Sequence, residues 1–126
     1  MKNIVAYTGK EYCVEWYFNK NGKSQALEYY SELDKKQKVK TIALFMLMGD
    51  TGQIRNKEKF NNEGDGIYAF KPKPDRFLCF FIKGKKIIIT NGFRKKTDKL
   101  SPDEKNRALR YKDEYYEGLK EEKQND

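Results

Sequence analysis

The sequence predicts an α+β fold: a small antiparallel sheet, an N-terminal helix hairpin packed on one of its faces, and a C-terminal helix. The segment before residue 50 contains two stretches with helical apolar spacing and helix-start residues. Three apolar stretches rich in aromatic and β-branched residues follow between residues 66 and 93, separated by short turns. A chain of 126 residues is long enough for one modest core. We therefore expect one domain over residues 1–120 and a disordered polar tail over residues 121–126.

The first predicted elements are a strand and a helix. Tyr12–Phe18 is rich in aromatic and β-branched residues, which favour a strand, and the turn residues Asn19–Gly22 end it. Ser24 is a typical N-cap for a helix that runs to about Leu33.

The second predicted helix is unusually apolar. Asp34 followed by Gln37 is typical of a capping box, so we expect a helix over residues 35–48 that ends at Gly49. Its apolar stripe at helical spacing is Val39, Ile42, Ala43 and Met46. Further apolar residues cover nearly the whole circumference: Leu44, Phe45, Leu47 and Met48. Such a helix is either buried on two sides or partly covered by another chain.

The second half of the chain predicts three strands and a helix. Residues 53–66 are polar and predict a loop. The strands are expected at Gly66–Lys71, Arg76–Lys83 and Lys86–Phe93, the last two joined by a tight turn. Ser101–Glu104 combines a capping box with proline at the first helical position, so a helix should start there. We expect this helix to run to about Glu117 and to end at Gly118.

Several classes of protein are disfavoured by composition. The chain has no histidine, and Cys13 and Cys79 lie in no CxxC spacing, so the common Cys/His metal sites are excluded and no cofactor is expected. Both cysteines lie in apolar stretches, which predicts small core residues of a reduced protein. The longest apolar run, Ile42–Met48, is far shorter than the roughly 20 residues that a membrane helix needs. The N-terminus lacks the apolar stretch of a signal peptide, so we expect a soluble, cytoplasmic protein without a membrane partner.

Positive charge is concentrated in one part of the chain. The formal net charge is +8, and residues 71–112 contain 14 Lys and Arg against 4 Asp and Glu, a net of +10 that leaves −2 for the rest. Three of these cations, Arg94, Lys95 and Lys96, are consecutive where the last predicted strand ends. Such segregation indicates an anionic partner, nucleic acid above all.

Each of these cations also has a purely structural interpretation. Cations after a strand are often solvated charges that discourage pairing between sheet edges. Lys71 and Lys73 bracket prolines and are compatible with a solvated loop. Arg76 could pair with Asp75 or Asp98. All of these residues nevertheless cluster at one predicted end of the sheet, which favours contact with nucleic acid.

Three short motifs link the chain to a known family. They are Ile67-Tyr68-Ala69-Phe70-Lys71, Arg76-Phe77-Leu78-Cys79-Phe80-Phe81, and Asn91-Gly92-Phe93-Arg94-Lys95-Lys96-Thr97 followed by Ser101-Pro102 and Asn106-Arg107-Ala108. In these motifs the chain resembles the RelE/HigB-type toxins of bacterial and phage toxin–antitoxin modules, and the phage-related branch in particular. The resemblance covers residues 12–118 and depends mainly on residues 68–108.

The resemblance implies a RelE-like fold and an endonuclease that cuts mRNA in the ribosomal A site. Its implied partners are mRNA on the ribosome and a cognate antitoxin, a small helix-turn-helix protein that silences it. Carried over by position, the implied catalytic residues are Lys71, Arg76, Arg94 and Lys96. The implied RNA-binding residues are Lys73, Lys95, Lys99 and Arg107.

These residue types suit RNA cleavage without a metal. The 2′-hydroxyl of the RNA attacks the adjacent phosphorus, which requires in-line positioning, stabilisation of the phosphorane and proton transfer. The planar guanidinium group donates two hydrogen bonds to a phosphate, so Arg76 and Arg94 are the expected clamp. A crowded cationic site lowers the pKa of lysine, so Lys71 or Lys96 is the expected proton-transfer group.

Two other functions stay open. A ParE-like gyrase inhibitor is similar in architecture, and a phage-related protein that only binds nucleic acid through its phosphates needs the same cations. The absence of histidine favours the protein that only binds nucleic acid. So does Leu100-Ser101, where some members of the family have tyrosine. Possible substitutes for that tyrosine are Tyr68, Tyr111 and Tyr115.

Overall fold

The computed structural model describes residues 4–97 and 99–125, with side chains described as far as Glu122. The elements in chain order are β1 (Val5–Thr8), β2 (Cys13–Trp16), α1 (Gln25–Glu32), α2 (Lys35–Thr51), β3 (Phe60–Gly64), β4 (Ile67–Phe70), β5 (Asp75–Ile82), β6 (Lys86–Arg94) and α3 (Pro102–Asn125). The predicted α+β class is confirmed.

The sheet is larger than expected and is mixed. Its strand order is β1-β2-β6-β5-β4-β3, and β2 pairs with β6 in parallel while the other neighbours are antiparallel. The parallel β2–β6 pair is thus one departure from the antiparallel sheet that the sequence predicts. β1 has only four residues, and β3 has the polar sequence FNNEG inside the segment predicted as a loop, so neither has the apolar alternation typical of a strand.

Both N-terminal helices begin where the sequence predicts. The Ser24 side chain accepts a hydrogen bond from the Leu27 N–H at 3.2 Å, and the Asp34 carboxylate accepts one from the Gln37 N–H at 2.8 Å. Each of these bonds satisfies an N–H that has no partner within the helix, which is why such residues start helices.

The predicted end of α2 at Gly49 is wrong. The helix continues to Thr51, and Gly52 is its C-cap at φ +80°, a left-handed conformation that suits glycine. Gly49 has a packing role instead, because a Cβ there would lie 2.9 Å from the Tyr7 ring.

The predicted end of α3 at Gly118 is also wrong. The helix continues to Asn125, so residues 121–125 of the expected disordered tail are helical, and Asp126 lies outside the described residues. One glycine costs a helix only about 1 kcal/mol. Good helix formers surround Gly118, and Lys120 and Glu117 form an ion pair at 3.4 Å.

The sheet buries both of its faces. The α1–α2 hairpin covers one face, where a cluster of aromatic side chains includes Trp16, Phe45, Phe70 and Phe77. α3 covers the other face, where Ala108 packs against Leu78, Phe80 and Ile88. Since neighbouring residues on a strand point to opposite faces, covering both faces requires the continuous apolar sequence of β5 and β6.

The apolar helix α2 is buried on one side only. Leu44, Phe45 and Met48 are in the core, whereas Val39, Met46 and Leu47 are 61, 42 and 42% exposed. Burial on two sides, one of the two interpretations of the sequence, is wrong for this helix. The predicted stripe lies on its outer side.

The cysteines are free thiols, as expected. Cys79 is fully buried in the core, where burial raises the pKa of its thiol, and Cys13 is half-buried.

In the described part of the chain no group of three or more Cys, Asp or Glu side chains is arranged to hold a metal ion. No helix among the described residues combines the length and the apolar character needed to cross a membrane.

Candidate nucleic-acid interface

A small cavity lies where the ends of β5 and β6 meet the start of α3. Its volume is about 180 Å³. The Lys95 N–H donates to the Pro74 carbonyl at 2.9 Å, which holds the segment after β6 against the start of β5. The cations that line the cavity are Arg76, Arg94, Lys95, Lys96 and Lys99. Phe93, Leu100, Thr97, Ser101 and Glu104 complete the lining among the described residues.

Arg76 is the buried cation of this cavity. The residue is 8% exposed, and its Nε atom has no hydrogen-bond partner among the described residues. The predicted pairing with Asp75 does not form, because the two neighbours point to opposite faces of β5 and Asp75 accepts a hydrogen bond from the Tyr29 hydroxyl of α1. The alternative partner, Asp98, lies outside the described residues.

Arg94 is exposed at the margin of the same cavity. It lies opposite Asp75 in the β5–β6 ladder, close enough to Tyr29 for its charge to act on the phenol. Burial and the hydrogen bond to Asp75 raise the pKa of Tyr29, and the charge of Arg94 opposes that rise.

A side chain of α1 holds the end of β6. Gln25 Nε2 donates to the Gly92 carbonyl at 2.8 Å, and Gln25 Oε1 accepts from the Gly92 N–H at 2.8 Å. The β2–β6 ladder ends at the pair Trp16–Ile89, so this amide takes the place of a neighbouring strand at Gly92. A Cβ at Gly92 would lie 2.7 Å from the Phe77 ring, so glycine is required there.

Lys71 lies beside Arg76, just after β4. Burial is the main cause that lowers the pKa of Lys71, and the positive charge of Arg76 lowers it further, while Glu63 and Glu58 oppose the shift. Its Nζ donates to the Lys57 carbonyl at 3.0 Å. The residue does not line the cavity itself but is adjacent to its buried arginine.

The remaining predicted cations differ in how they are placed. Lys96 and Lys99 are exposed at the cavity. Lys73 forms an ion pair with Glu58, which lowers the pKa of that carboxyl, and the Arg107 guanidinium lies 3.3 Å from the Glu104 carboxylate. The structure thus gathers five of the eight predicted residues around one cavity and leaves Lys71, Lys73 and Arg107 next to it.

Glu104 and Asn91 were not among the predicted site residues, although the resemblance places Asn91 where many members of the family have a histidine. Asn91 is fully buried, and its Nδ2 donates to Glu104 Oε1 at 3.0 Å and to the Glu104 carbonyl at 3.3 Å. The spacing of Ser101 and Glu104 predicts only a capping box for Glu104. An amide in the middle of an apolar strand was the available signal, since a buried amide requires a partner.

The three tyrosines considered as catalytic substitutes pack elsewhere. Tyr111 lies against Tyr17 with ring centroids 5.2 Å apart, and Tyr115 lies against Phe80 at 5.5 Å. Tyr68 stacks on Phe60 on the opposite face of the sheet. None of the three is among the described residues that line the cavity.

Comparison with known families identifies the group to which this fold and cavity belong. The model of the family described as phage-derived protein Gp49-like (DUF891) matches residues 28–113, more than half of the chain. The chain belongs to the Gp49-like family. The matched region contains every predicted site residue and the Glu104–Asn91 contact. No curated protein matches the chain.

Membership of the Gp49-like family narrows the classes of function to which this chain can belong. The Gp49-like family is associated with the toxins of toxin–antitoxin modules in the RelE superfamily, so this chain is a phage-related, toxin-like protein. The family is related to RelE-type endoribonuclease toxins, and such toxins have antitoxin partners in general.

Proposed function

We propose that this Gp49-like protein is the toxin of a type II toxin–antitoxin module and a metal-independent endoribonuclease that cleaves mRNA on the ribosome. The main support is the buried Arg76, whose guanidinium Nε has no hydrogen-bond partner among the described residues, in a cavity lined by four further cations. A buried N–H donor without an acceptor is costly, and an anionic ligand in the cavity would supply acceptor oxygens. A phosphate diester of RNA has the negative charge and the acceptor oxygens that suit a lining of five cations.

The proposed reaction uses the RNA's own nucleophile. Arg76 and Arg94 bind the scissile phosphate and stabilise the phosphorane, which has more negative charge than the ground state. Of the two candidate proton donors, Lys71 is better suited than Lys96, because burial and Arg76 lower its pKa and so make it a stronger acid. Lys96 then serves to bind phosphate at the cavity mouth.

The proposed partner is a small helix-turn-helix antitoxin. A family of toxins implies an antitoxin in general, and the segregated charge of this chain favours one with an acidic segment. The exposed apolar side of α2 is a second surface that such a protein would cover.

A protein that binds nucleic acid without cutting it is the second candidate. The absence of histidine favours it, because histidine is the side chain whose pKa best suits acid–base catalysis near pH 7. Both candidates require the same cations, so only a measurement of cleavage separates them.

The test compares wild type with Arg76→Ala, Arg94→Ala and Lys95→Ala, expressed in bacteria and scored by growth arrest and by mapping of mRNA ends. Loss of either arginine should slow cleavage by roughly 10²–10³-fold, as is typical for one preorganised donor. Lys95→Ala should mainly weaken RNA binding. Because Arg76 is buried, Arg76→Lys and a thermal unfolding curve control for loss of the fold. A wild type that cuts no mRNA with ribosomes present refutes the enzyme; arginine variants that cut at the wild-type rate refute this site.

A further inference from the structure

The cationic cavity contains one carboxylate among its described lining residues, that of Glu104. Its side chain is 21% exposed and therefore reaches both the protein interior and the cavity. Arg107 of α3 contacts this carboxylate, and the cations that line the same cavity come from the neighbouring elements: Arg76 from β5, Arg94 at the end of β6, and Lys95, Lys96 and Lys99 after it.

Two groups hold the Glu104 carboxylate, and both bind the same oxygen. Oε1 accepts from Asn91 Nδ2 at 3.0 Å and from Arg107 Nη1 at 3.3 Å. Within the described part of the chain Oε2 receives no hydrogen bond. The hydroxyl of Thr90 donates to Asn91 Oδ1 at 2.7 Å, and this contact fixes which end of the amide faces Glu104.

This arrangement differs from the helix cap that the sequence predicts. Glu104 is the third residue of α3, where a capping-box carboxylate turns back to the N–H of the residue at the helix start. Among the described hydrogen bonds, the carboxylate instead binds Asn91 of β6 and Arg107. Its position is therefore set by the sheet and not by the helix start, and one oxygen stays available to a ligand.

We propose that Glu104 is the general base that accepts the proton of the attacking 2′-hydroxyl, an inference that rests on the proposed function. Glu104 Oε2 takes the proton while the 2′-oxygen forms a bond to phosphorus. The bond from phosphorus to the 5′-oxygen breaks, and Lys71 protonates that oxygen. The products are a 2′,3′-cyclic phosphate and a 5′-hydroxyl, and exchange with water restores both side chains.

The chemistry of the lining favours Glu104 for this step over the lysines. A general base must be unprotonated when the substrate binds, and carboxylates ordinarily are at pH 7, whereas lysines are not. The assignment also accounts for an RNA-cleaving site without histidine, because Glu104 and Lys71 then divide the two proton transfers between them.

The first test is the single-turnover cleavage rate of ribosome-bound mRNA for Glu104→Gln. Gln has the same shape but is not a base, so we expect a loss of roughly 10²–10⁴-fold with mRNA binding retained. Asp103→Asn is the matched control, because it removes the same charge from the neighbouring exposed position and should leave the rate unchanged. Glu104→Asp and Glu104→Asn repeat the comparison of acid and amide with a side chain that is one methylene shorter. Thermal unfolding of each variant checks that it is folded.

The second test separates a base from an acid. In an mRNA whose scissile 5′-oxygen is replaced by sulfur, the leaving group departs without a proton, so the defect of Lys71→Gln should largely disappear. The defect of Glu104→Gln should persist. A folded Glu104→Gln protein that cleaves at the wild-type rate, or a defect that the sulfur substitution removes, overturns the inference while the enzyme stands. A wild type that binds both mRNAs and cleaves neither refutes the proposed function, and this inference with it.

Discussion

At the scale of single residues, Asp75 and Arg76 show how a strand separates two neighbours. The carboxylate points to α1 and binds Tyr29, and the guanidinium points to the cavity beside α3. Their charges are adjacent in sequence, yet the two side chains lie on opposite faces of the sheet. The sequence nominated Arg76 through a resemblance, but the burial of its Nε without a partner among the described residues is a property of the fold.

A prediction at this scale concerns the pH dependence of cleavage. Lys71 must be protonated to act as the acid, and its pKa is lowered mainly by burial and also by Arg76. The single-turnover rate should therefore fall on the alkaline side at a lower pH than an ordinary lysine would produce. In Lys71→Arg that decline should move to higher pH, because arginine stays protonated throughout the range.

The measurement is a profile of rate against pH for wild type, Lys71→Arg and Lys83→Arg. Lys83 is an exposed lysine outside the predicted site and serves as the control. If the alkaline decline is the same in all three proteins, the proton donor is not Lys71.

At the scale of elements, α2 shows the limit of apolar periodicity. The stripe predicted from its spacing includes Val39 and Met46, which lie on the exposed side, whereas Phe45 and Met48 enter the core. Both sides of this helix are apolar, so periodicity cannot say which one faces the sheet. The interpretation that another chain partly covers the helix stays a prediction.

We expect the antitoxin to cover the outer side of α2. This surface consists of Val39, Ile42, Ala43 and Met46 with Tyr30 of α1, and it is bordered by Lys35 and Lys38. The combination fits an amphipathic helix whose apolar stripe is flanked by acidic residues. Placing a carboxylate in such a contact costs desolvation energy, so Met46→Glu should weaken antitoxin binding at least about tenfold.

Isothermal titration with the protein encoded next to this chain measures that affinity. Ile4→Glu is the control, because Ile4 is 40% exposed against 42% for Met46 but lies at the β1 edge of the sheet. Equal affinities for the two variants would place the antitoxin elsewhere.

At the scale of the whole molecule, the excess of positive charge and the fold both favour binding of nucleic acid at the cavity. Five of the 14 cations in residues 71–112 line the cavity, and they come from the start of β5, the end of β6 and the segment that follows it: Arg76, Arg94, Lys95, Lys96 and Lys99. RNA affinity should therefore fall steeply with salt, because each phosphate contact releases counterions.

Replacing both Lys95 and Lys96 by Ala should flatten the dependence of log affinity on log salt concentration. The expected change in slope is about 1.4, from two contacts of about 0.7 each on a single strand. Fluorescence anisotropy with a labelled RNA measures it, and Lys23→Ala with Lys83→Ala removes the same charge from exposed positions elsewhere. Equal slopes for the two double variants would show that the RNA does not contact this cluster.

The sequence by itself determined the α+β class, the helix starts at Ser24 and Asp34, and the apolar strands that became β4, β5 and β6. These features depend on signals within a few residues, such as a side chain that caps an N–H three positions on. The tertiary structure alone decided the parallel pairing of β2 with β6, the side of α2 that is buried, and the contact of Asn91 with Glu104. Each of these joins groups from separate elements, and no local pattern encodes which partner a buried amide or an apolar face will meet.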